Sequence, residues 1–375
     1  MTDAAGNRLT GAKRLVVKIG SALLVDEANG LIRHDWLATL AADVAARRAA
    51  GQEVLIVSSG AIAVGRRYLN ITGRELRLEE KQAAAATGQI QLAHAYREAL
   101  SAHGITAAQI LLTLDDTERR RRHLNARATM RQILDLGAVP IINENDTVAT
   151  EEIRFGDNDR LAARVAAMVG AEVLVLLSDI DGLYDSDPRT NPSATHMAKI
   201  TAITPAVEAM AGKVLRGYAS GGMVTKLLAA KIALAGGCHM LIGDGRPAHP
   251  LQALADGGRC TWFIAEATPH SARKKWIAGS LKPKGSLNID DGAVKALKSG
   301  RSLLPAGVSG VSGRFERGDL VTIISADNRD LGRGLSAYSS ADTLLIAGHK
   351  TSEIEEILGY RGRNEVIHRD DLVLD

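Results

Sequence analysis

Seven consecutive residues, Ser220-Gly221-Gly222-Met223-Val224-Thr225-Lys226, place a glycine pair, a hydroxyl and a lysine directly ahead of an apolar helical run. Paired glycines let backbone N–H groups approach an anion, a helix N-terminus favours negative charge, and a lysine can follow charge that moves during a reaction. The chemistry this predicts is phosphate handling. The segment is not a Walker A loop, because the spacing Gly-x-x-x-x-Gly-Lys-[Ser/Thr] is missing and the threonine precedes the lysine. Taken alone it reads equally well as a glycine C-cap between two helices, so the rest of the chain has to decide.

Lys18-Ile19-Gly20-Ser21 sets a second lysine near the end of an apolar run, followed at once by a Gly-Ser turn. A lysine in an apolar strand is costly unless its ammonium meets an anion; the alternative is a lysine snorkelling from an edge strand. Lys18 and Lys226 together supply two positive charges for one polyphosphate. Two acidic, amide-rich stretches accompany them, Asn143-Glu144-Asn145-Asp146 and Gly156-Asp157-Asn158-Asp159. The second is good turn and N-cap chemistry, yet two carboxylates flanking an amide exceed what one cap needs. Acidic loops near lysines predict a small zwitterion, with carboxylates on its ammonium and lysines on phosphate. Ser178-Asp179, followed by Leu183 and Tyr184, reads either as a plain loop or as polar groups for a ribose or base beside apolar walls.

These residues need elements to position them. Near-continuous apolar runs at 15–19, 54–57, 139–142 and 173–177 predict strands buried on both faces. Alanine-rich helical patterns over 36–50, 79–103, 116–136 and 160–169 lie between them, which is the alternation of an α/β domain with a mostly parallel sheet. In such sheets ligands bind beyond the carboxyl ends of the strands, where Gly20-Ser21, Ser58-Ser59-Gly60, Asn143 to Asp146 and Ser178-Asp179 all fall. A catalytic domain is therefore expected over 1–267. A linker is expected over 268–285, where Pro269, Gly279, Pro283 and Gly285 break the rhythm around Arg273, Lys274 and Lys275. Short strands at 287–289 and 320–324, glycine turns between them and helical stretches at 292–299 and 352–358 predict a small β-barrel or roll over 286–375.

Composition narrows the function classes. A chain of 375 residues with 46% hydrophobic residues has enough apolar content for two cores. With 3% aromatics and a formal charge of +3, neither base stacking nor a polyanion partner is indicated by bulk composition. Cys238 and Cys260 make no disulfide framework, residues 1–13 lack an apolar signal segment, and no apolar run is long enough for a bilayer, so the cytoplasm is the expected location and no membrane partner is expected.

Six motifs in order, Lys18-Ile19-Gly20-Ser21, Ser58-Ser59-Gly60-Ala61-Ile62, Leu124-Asn125-Ala126-Arg127, Asn143-Glu144-Asn145-Asp146, Gly156-Asp157-Asn158-Asp159 and Ser220 to Lys226, resemble the amino acid kinase family. The C-terminal region resembles the PUA domain found on many bacterial members. The family often has threonine where this chain has Ser58 and Ser178; both substitutions keep the hydroxyl. The resemblance implies an αβα sandwich with a mostly parallel central sheet plus a small PUA-like barrel. It also implies ATP-dependent phosphorylation of the side-chain carboxylate of L-glutamate to L-glutamate 5-phosphate, the first committed step of proline synthesis. Mg²⁺, feedback inhibition by L-proline and a homo-oligomer, a dimer or tetramer, are implied with it.

Carried onto this sequence, the resemblance gives Lys18 and Lys226 to the β- and γ-phosphates and Asp159 to orienting the two lysines. Gly20, Ser21, Gly221 and Gly222 would cradle phosphate oxygens, and Ser178, Asp179, Ser220, Met223, Val224 and Thr225 complete the ATP site. Ser59, Asp146, Asp157 and Asn158 would bind glutamate, the carboxylates taking its ammonium and the hydroxyl and amide serving its carboxylate groups. No dedicated metal cage is expected, Mg²⁺ riding on the nucleotide.

A γ-carboxylate with an ordinary pKa of about 4.3 is ionised at neutral pH and needs no general base, which agrees with ten histidines scattered without triad spacing. Sibling kinases acting on N-acetylglutamate or aspartate remain as alternatives, the former disfavoured because an acetylated substrate has no ammonium for Asp146 or Asp157. An RNA-binding protein is the alternative of a different class, motivated by the PUA-like tail and Arg119-Arg120-Arg121-Arg122, a run read more simply as a solvated helix face or subunit contact. Cys238-His239 has no partner pair at metal-ligand spacing, and Trp36, Trp262 and Trp276 are read as packing residues.

Overall fold

In a computed structural model that describes residues 8–26, 28–71, 74–148, 158–212, 222–279 and 282–374, the four apolar runs become neighbouring strands of one sheet. Its members are β1 (Arg14–Ile19), β2 (Glu53–Val57), β3 (Ala107–Leu112), β4 (Val139–Glu144), β5 (Val173–Ser178), β8 (Lys199–Ile200), β9 (His239–Asp244) and β10 (Cys260–Phe263). A separate two-stranded ribbon pairs β6 (Leu183–Tyr184) with β7 (His196–Met197). The sheet order is β3-β4-β2-β1-β5-β9-β10-β8, parallel from β3 through β9 and reversing at β10, which runs antiparallel to β9.

Alternation along the strands explains why helices cover both faces. Leu15, Val17 and Ile19 of β1 and Val173, Val175 and Leu177 of β5 enter one core; Val16, Leu174 and Leu176 enter the other. The first core is closed by α1 (His34–Ala49), α2 (Ala61–Tyr68) and α3 (Leu78–Ser101). The second is closed by α4 (Arg120–Asp135), α5 (Asn158–Val169) and α6 (Met223–Ala235). This is the expected αβα sandwich. At the crossing of α2 and α3, a Cβ on Gly65 would stand 1.7 Å from the carbonyl oxygen of Ala84, so only glycine lets these backbones meet.

The helix expected over 116–136 divides. Thr113 caps a short helix, Leu114–Glu118, through a reciprocal pair of hydrogen bonds with Asp116, and Arg119 leaves helical space at φ −71°, ψ 112° before α4 begins. Arg119 and Arg122 then pair with Asp115 and Asp116 at 2.8 and 2.9 Å, so part of the arginine run is locally neutralised.

Two compact units divide the chain, Met1–Pro269 and His270–Asp375. The stretch 268–285, expected as a linker, carries a helix over Pro269–Gly279. Its proline and glycine, which read as punctuation, occupy the first and last helical positions, where a missing N–H and an absent side chain do least harm. Within the second unit Ile277 of this helix is fully buried and Arg273 pairs with Asp371 at 2.5 Å. The second unit holds β11 (Gly285–Ile289), β12 (Val308–Gly313), β13 (Leu320–Ser325), β14 (Asp330–Leu335) and β15 (Leu372–Leu374) in the order β12-β11-β13-β14-β15. Leu287, Ile289, Phe315, Val321 and Ile323 form its core. No helix among the described residues is long and apolar enough to cross a membrane.

Candidate active site

The carboxyl ends of β1, β2, β4 and β5 and the N-termini of α5 and α6 supply the polar groups of one buried cluster and its surroundings. Lys18 is the fifth of six residues in β1. Its Nζ lies 2.6 Å from Asp159 Oδ1, while Lys226 Nζ lies 3.3 Å from Asp159 Oδ2. Asp159 is in the first turn of α5 and Lys226 in the first turn of α6, two helices packed side by side. Thr225 Oγ1 donates to Asp159 Oδ2 at 3.0 Å and also lies 2.8 Å from the carbonyl oxygen of Gly222.

All three charged residues are buried: Lys18 is 7%, Lys226 5% and Asp159 0% exposed. Burial alone would raise the Asp159 carboxyl, but the charges of Lys18 and Lys226, with hydrogen bonds from Lys18 and Thr225, outweigh it and hold the group below its usual value. The Lys226 ammonium is pushed down, by burial first; Asp159 opposes the shift and the Lys18 charge adds to it. Two ammonium groups thus bracket one buried carboxylate, and the Asp179 charge also favours the protonated form of Lys226.

Two glycines at these ends have φ −67°, a value open to any residue. Among the described residues a Cβ on Gly222 would meet nothing within 4 Å, and one on Gly20 only the carbonyl oxygen of Leu177 at 3.5 Å, so there is room for a ligand to approach either backbone. Ser21 opens a short helix, Ser21–Leu24, and Met223 and Val224 are the first residues of α6, where N–H groups have no intrahelical partners. Ser178 is buried at the end of β5; its hydroxyl donates to Asp179 Oδ1 at 3.0 Å, and its backbone carbonyl accepts from the Gly245 N–H at 2.8 Å. Ser220, Gly221 and Asp157 lie outside the described residues.

A second cluster gathers on Asn158, next in sequence to Asp159. Asn158 Nδ2 lies 2.9 Å from the Ser58 carbonyl oxygen, 3.0 Å from Ser59 Oγ and 3.1 Å from Asn143 Oδ1. The 3₁₀ turn Asp146–Val148, which follows β4, packs against α3, and burial raises the Asp146 carboxyl to about 6. Sequence reasoning missed two members of this neighbourhood. Gln89 accepts from Asn143 Nδ2 at 2.7 Å, and the Tyr96 hydroxyl donates to Ser58 Oγ at 3.0 Å. Their seven-residue spacing on one helix was the available signal.

A pair of ammonium groups steered by one carboxylate, beside helix N-termini and open glycines, can hold and transfer a phosphoryl group. An amide-lined neighbour can hold the acceptor. The amino acid kinase family model matches residues 13–244, and the PUA domain model matches residues 285–358. A glutamate 5-kinase of Paramagnetospirillum magneticum is 62% identical over 367 residues, covering 98% of this chain and 99% of that one. Those of Rhodospirillum rubrum and Gluconobacter oxydans are each 58% identical, over 360 and 372 residues, covering 96% and 99% of this chain and 96% and 98% of theirs. A match through the whole first sheet, at this identity and over the full length of the relatives, makes the chain a member of the amino acid kinase family with a PUA domain at its C-terminal end.

Proposed function

We propose that the chain transfers the γ-phosphoryl group of ATP to the side-chain carboxylate of L-glutamate, giving L-glutamate 5-phosphate and ADP. The observation that carries the proposal is the buried arrangement of Lys18 and Lys226 on the two oxygens of Asp159 at the carboxyl ends of the strands. The nucleophile is already ionised, so the barrier is electrostatic: one anion must approach another in line. Lys18 and Lys226 contact the β- and γ-phosphates and neutralise charge as it moves to the leaving oxygen, and backbone N–H groups at Ser21, Gly221 and Gly222 receive phosphate oxygens, while Gly20, whose N–H donates to the Leu177 carbonyl at 3.3 Å, contributes only close approach. Asp159 keeps the two ammonium groups apart and aimed. Ser178 and Asp179, with Ser220, Met223, Val224 and Thr225, line the nucleotide. Ser59, Asp146, Asp157 and Asn158 hold glutamate, and the near-neutral carboxyl of Asp146 becomes fully ionised when it meets the substrate ammonium.

Among the described residues no group of three or more acidic, histidine or cysteine side chains gathers, and both oxygens of Asp159 already face ammonium groups. That donor set does not fit a resident cation. Mg²⁺ belongs instead to the incoming nucleotide, held by phosphates and water.

The naming of the relatives as glutamate 5-kinases supports this substrate. A place at the start of proline synthesis, inhibition by L-proline and a cytoplasmic, homo-oligomeric enzyme, a dimer or tetramer, belong to the same proposal. The test is ADP release with L-glutamate, trapping of the acyl phosphate by hydroxylamine, and repetition with L-proline, N-acetylglutamate and aspartate. Hydroxamate formed from glutamate alone and suppressed by proline is expected; preference for either other acid overturns the assignment. Binding of RNA through the PUA domain would show as affinity falling steeply with salt.

A further inference from the structure

The orientation of the Asn158 side chain is fixed by its partners. The Glu144 N–H donates to Asn143 Oδ1 at 2.9 Å, so the oxygen of Asn143 faces that point. Asn143 Nδ2 therefore faces Gln89 Oε1, and the same Asn143 oxygen accepts from Asn158 Nδ2. The carbonyl of Ser58, an obligatory acceptor, independently places Asn158 Nδ2 on this side. An amide nitrogen carries two hydrogens, and three acceptors surround this one, so its donor capacity is spent inside the protein. Asn158 Oδ1 is buried with no hydrogen-bond partner among the described residues. The atom left to offer is an acceptor.

Two residues of α3 hold this arrangement from behind. Gln89 and Tyr96 are seven residues apart, two turns on one face of the helix. Gln89 fixes Asn143 at the end of β4, and the buried Tyr96 hydroxyl fixes Ser58 directly after β2. These are adjacent parallel strands; the Asn143 amide so fixed bonds Asn158 directly, while Tyr96 holds the Ser58 hydroxyl and Asn158 bonds the backbone carbonyl of that same residue. We propose that Gln89 and Tyr96 are positioning residues that lock the Asn158 amide with its carbonyl oxygen towards the substrate, so that Asn158 accepts from an ammonium group. This reverses the expectation that the amide serves a substrate carboxylate. The substrate part rests on the glutamate kinase reading; the lock rests on the hydrogen-bond geometry alone.

Gln89→Met removes the acceptor at nearly constant volume, and Gln89→Glu restores it. In the full chain Q89M is expected to raise the KM for glutamate about tenfold with kcat changed less than about threefold and the KM for ATP unchanged; Q89E returns the glutamate KM to within about threefold of the parent. With ¹⁵N-asparagine labelling, the Asn158 side-chain amide signal, identified by its loss in Asn158→Asp, is expected to shift in Q89M and return in Q89E. An unchanged glutamate KM in Q89M, or a Q89E variant as impaired as Q89M, overturns the proposal. If Q89M does not fold, Tyr96→Phe replaces it, with a smaller rise in glutamate KM expected and no change overturning the idea. Should the parent enzyme turn over no glutamate, the substrate reading fails; a shifted Asn158 signal in Q89M then upholds the lock, and an unmoved signal overturns it.

Discussion

Replacing Asp159 by asparagine probes the charge balance of the site directly. The substitution keeps the volume and removes the carboxylate that separates Lys18 from Lys226, two residues at 7% and 5% exposure. Breaking a buried ion pair by removing one partner costs about 3–5 kcal/mol. Two pairs share Asp159, but Lys226 can release its proton, which limits the loss to about 4 kcal/mol near neutrality. The pH dependence follows from the direction of the Lys226 shift. Burial lowers its pKa, and Asp159 opposes that lowering, so deleting Asp159 drives it lower still. The folded variant then binds fewer protons than the unfolded chain between that depressed value and about 10.4, and its stability rises with pH across the window. Nucleotide phosphates restore the missing negative charge, so ADP stabilises the variant more than the parent. Urea unfolding of the full chain at pH 7 and pH 9, with and without ADP, measures all three effects. A loss under about 1 kcal/mol, or stability that does not rise with pH, would refute the claim that this carboxylate stabilises two buried ammonium groups.

Three further outcomes are expected. Lys226→Ala should lower kcat by about 100-fold or more while the KM for glutamate moves little, because the lost contact grows as charge transfers to the leaving group; an unchanged kcat removes the proposed role. The Asp146 carboxyl, raised to about 6 by burial, must be ionised to take an ammonium, so the KM for glutamate should climb as pH falls below about 6. In Asp146→Asn that pH dependence should flatten at a uniformly higher KM, and a variant that keeps the parent profile rules Asp146 out. Leu176→Ala, at a fully buried position of the central strand β5, should cost about 2–5 kcal/mol in denaturant unfolding, and a loss below about 1 kcal/mol would mean the second core collapses around the deletion.

What the sequence made legible divides along a physical line. Lys18 was readable because a charge in an apolar strand violates its context, Lys226 because a lysine follows a glycine pair ahead of an apolar run, and Asp159 because two carboxylates exceed what one cap needs; strand ends are where an α/β sheet collects its ligands. Gln89 and Tyr96 violate nothing: they sit inside an alanine-rich amphipathic helix, and their partners are 54 and 38 residues away. The break at Arg119 was hidden because no glycine or proline marks it within the polar run from Asp115 to His123, and only the Thr113–Asp116 cap marks the first short helix. At 269–279 the proline and glycine carried the wrong message, since the same residues that interrupt a helix also delimit one.

The adjacency of Asn158 and Asp159 gives the two halves of the site a common rule. Neighbouring helical residues differ by about 100° in direction and about 1.5 Å in rise. Asp159 thus turns towards Lys18 of β1 and Lys226 of α6, while Asn158 turns towards the ends of β2 and β4. Under the proposed assignment, donor and acceptor substrates would be referenced to consecutive positions of one rigid turn, and the distance between them would be set by helix geometry and not by loop closure. For a reaction whose nucleophile needs no activation, the remaining task is to hold two anions in line at short range. In that reading the lysines lower the repulsion and the first turn of α5 fixes the separation.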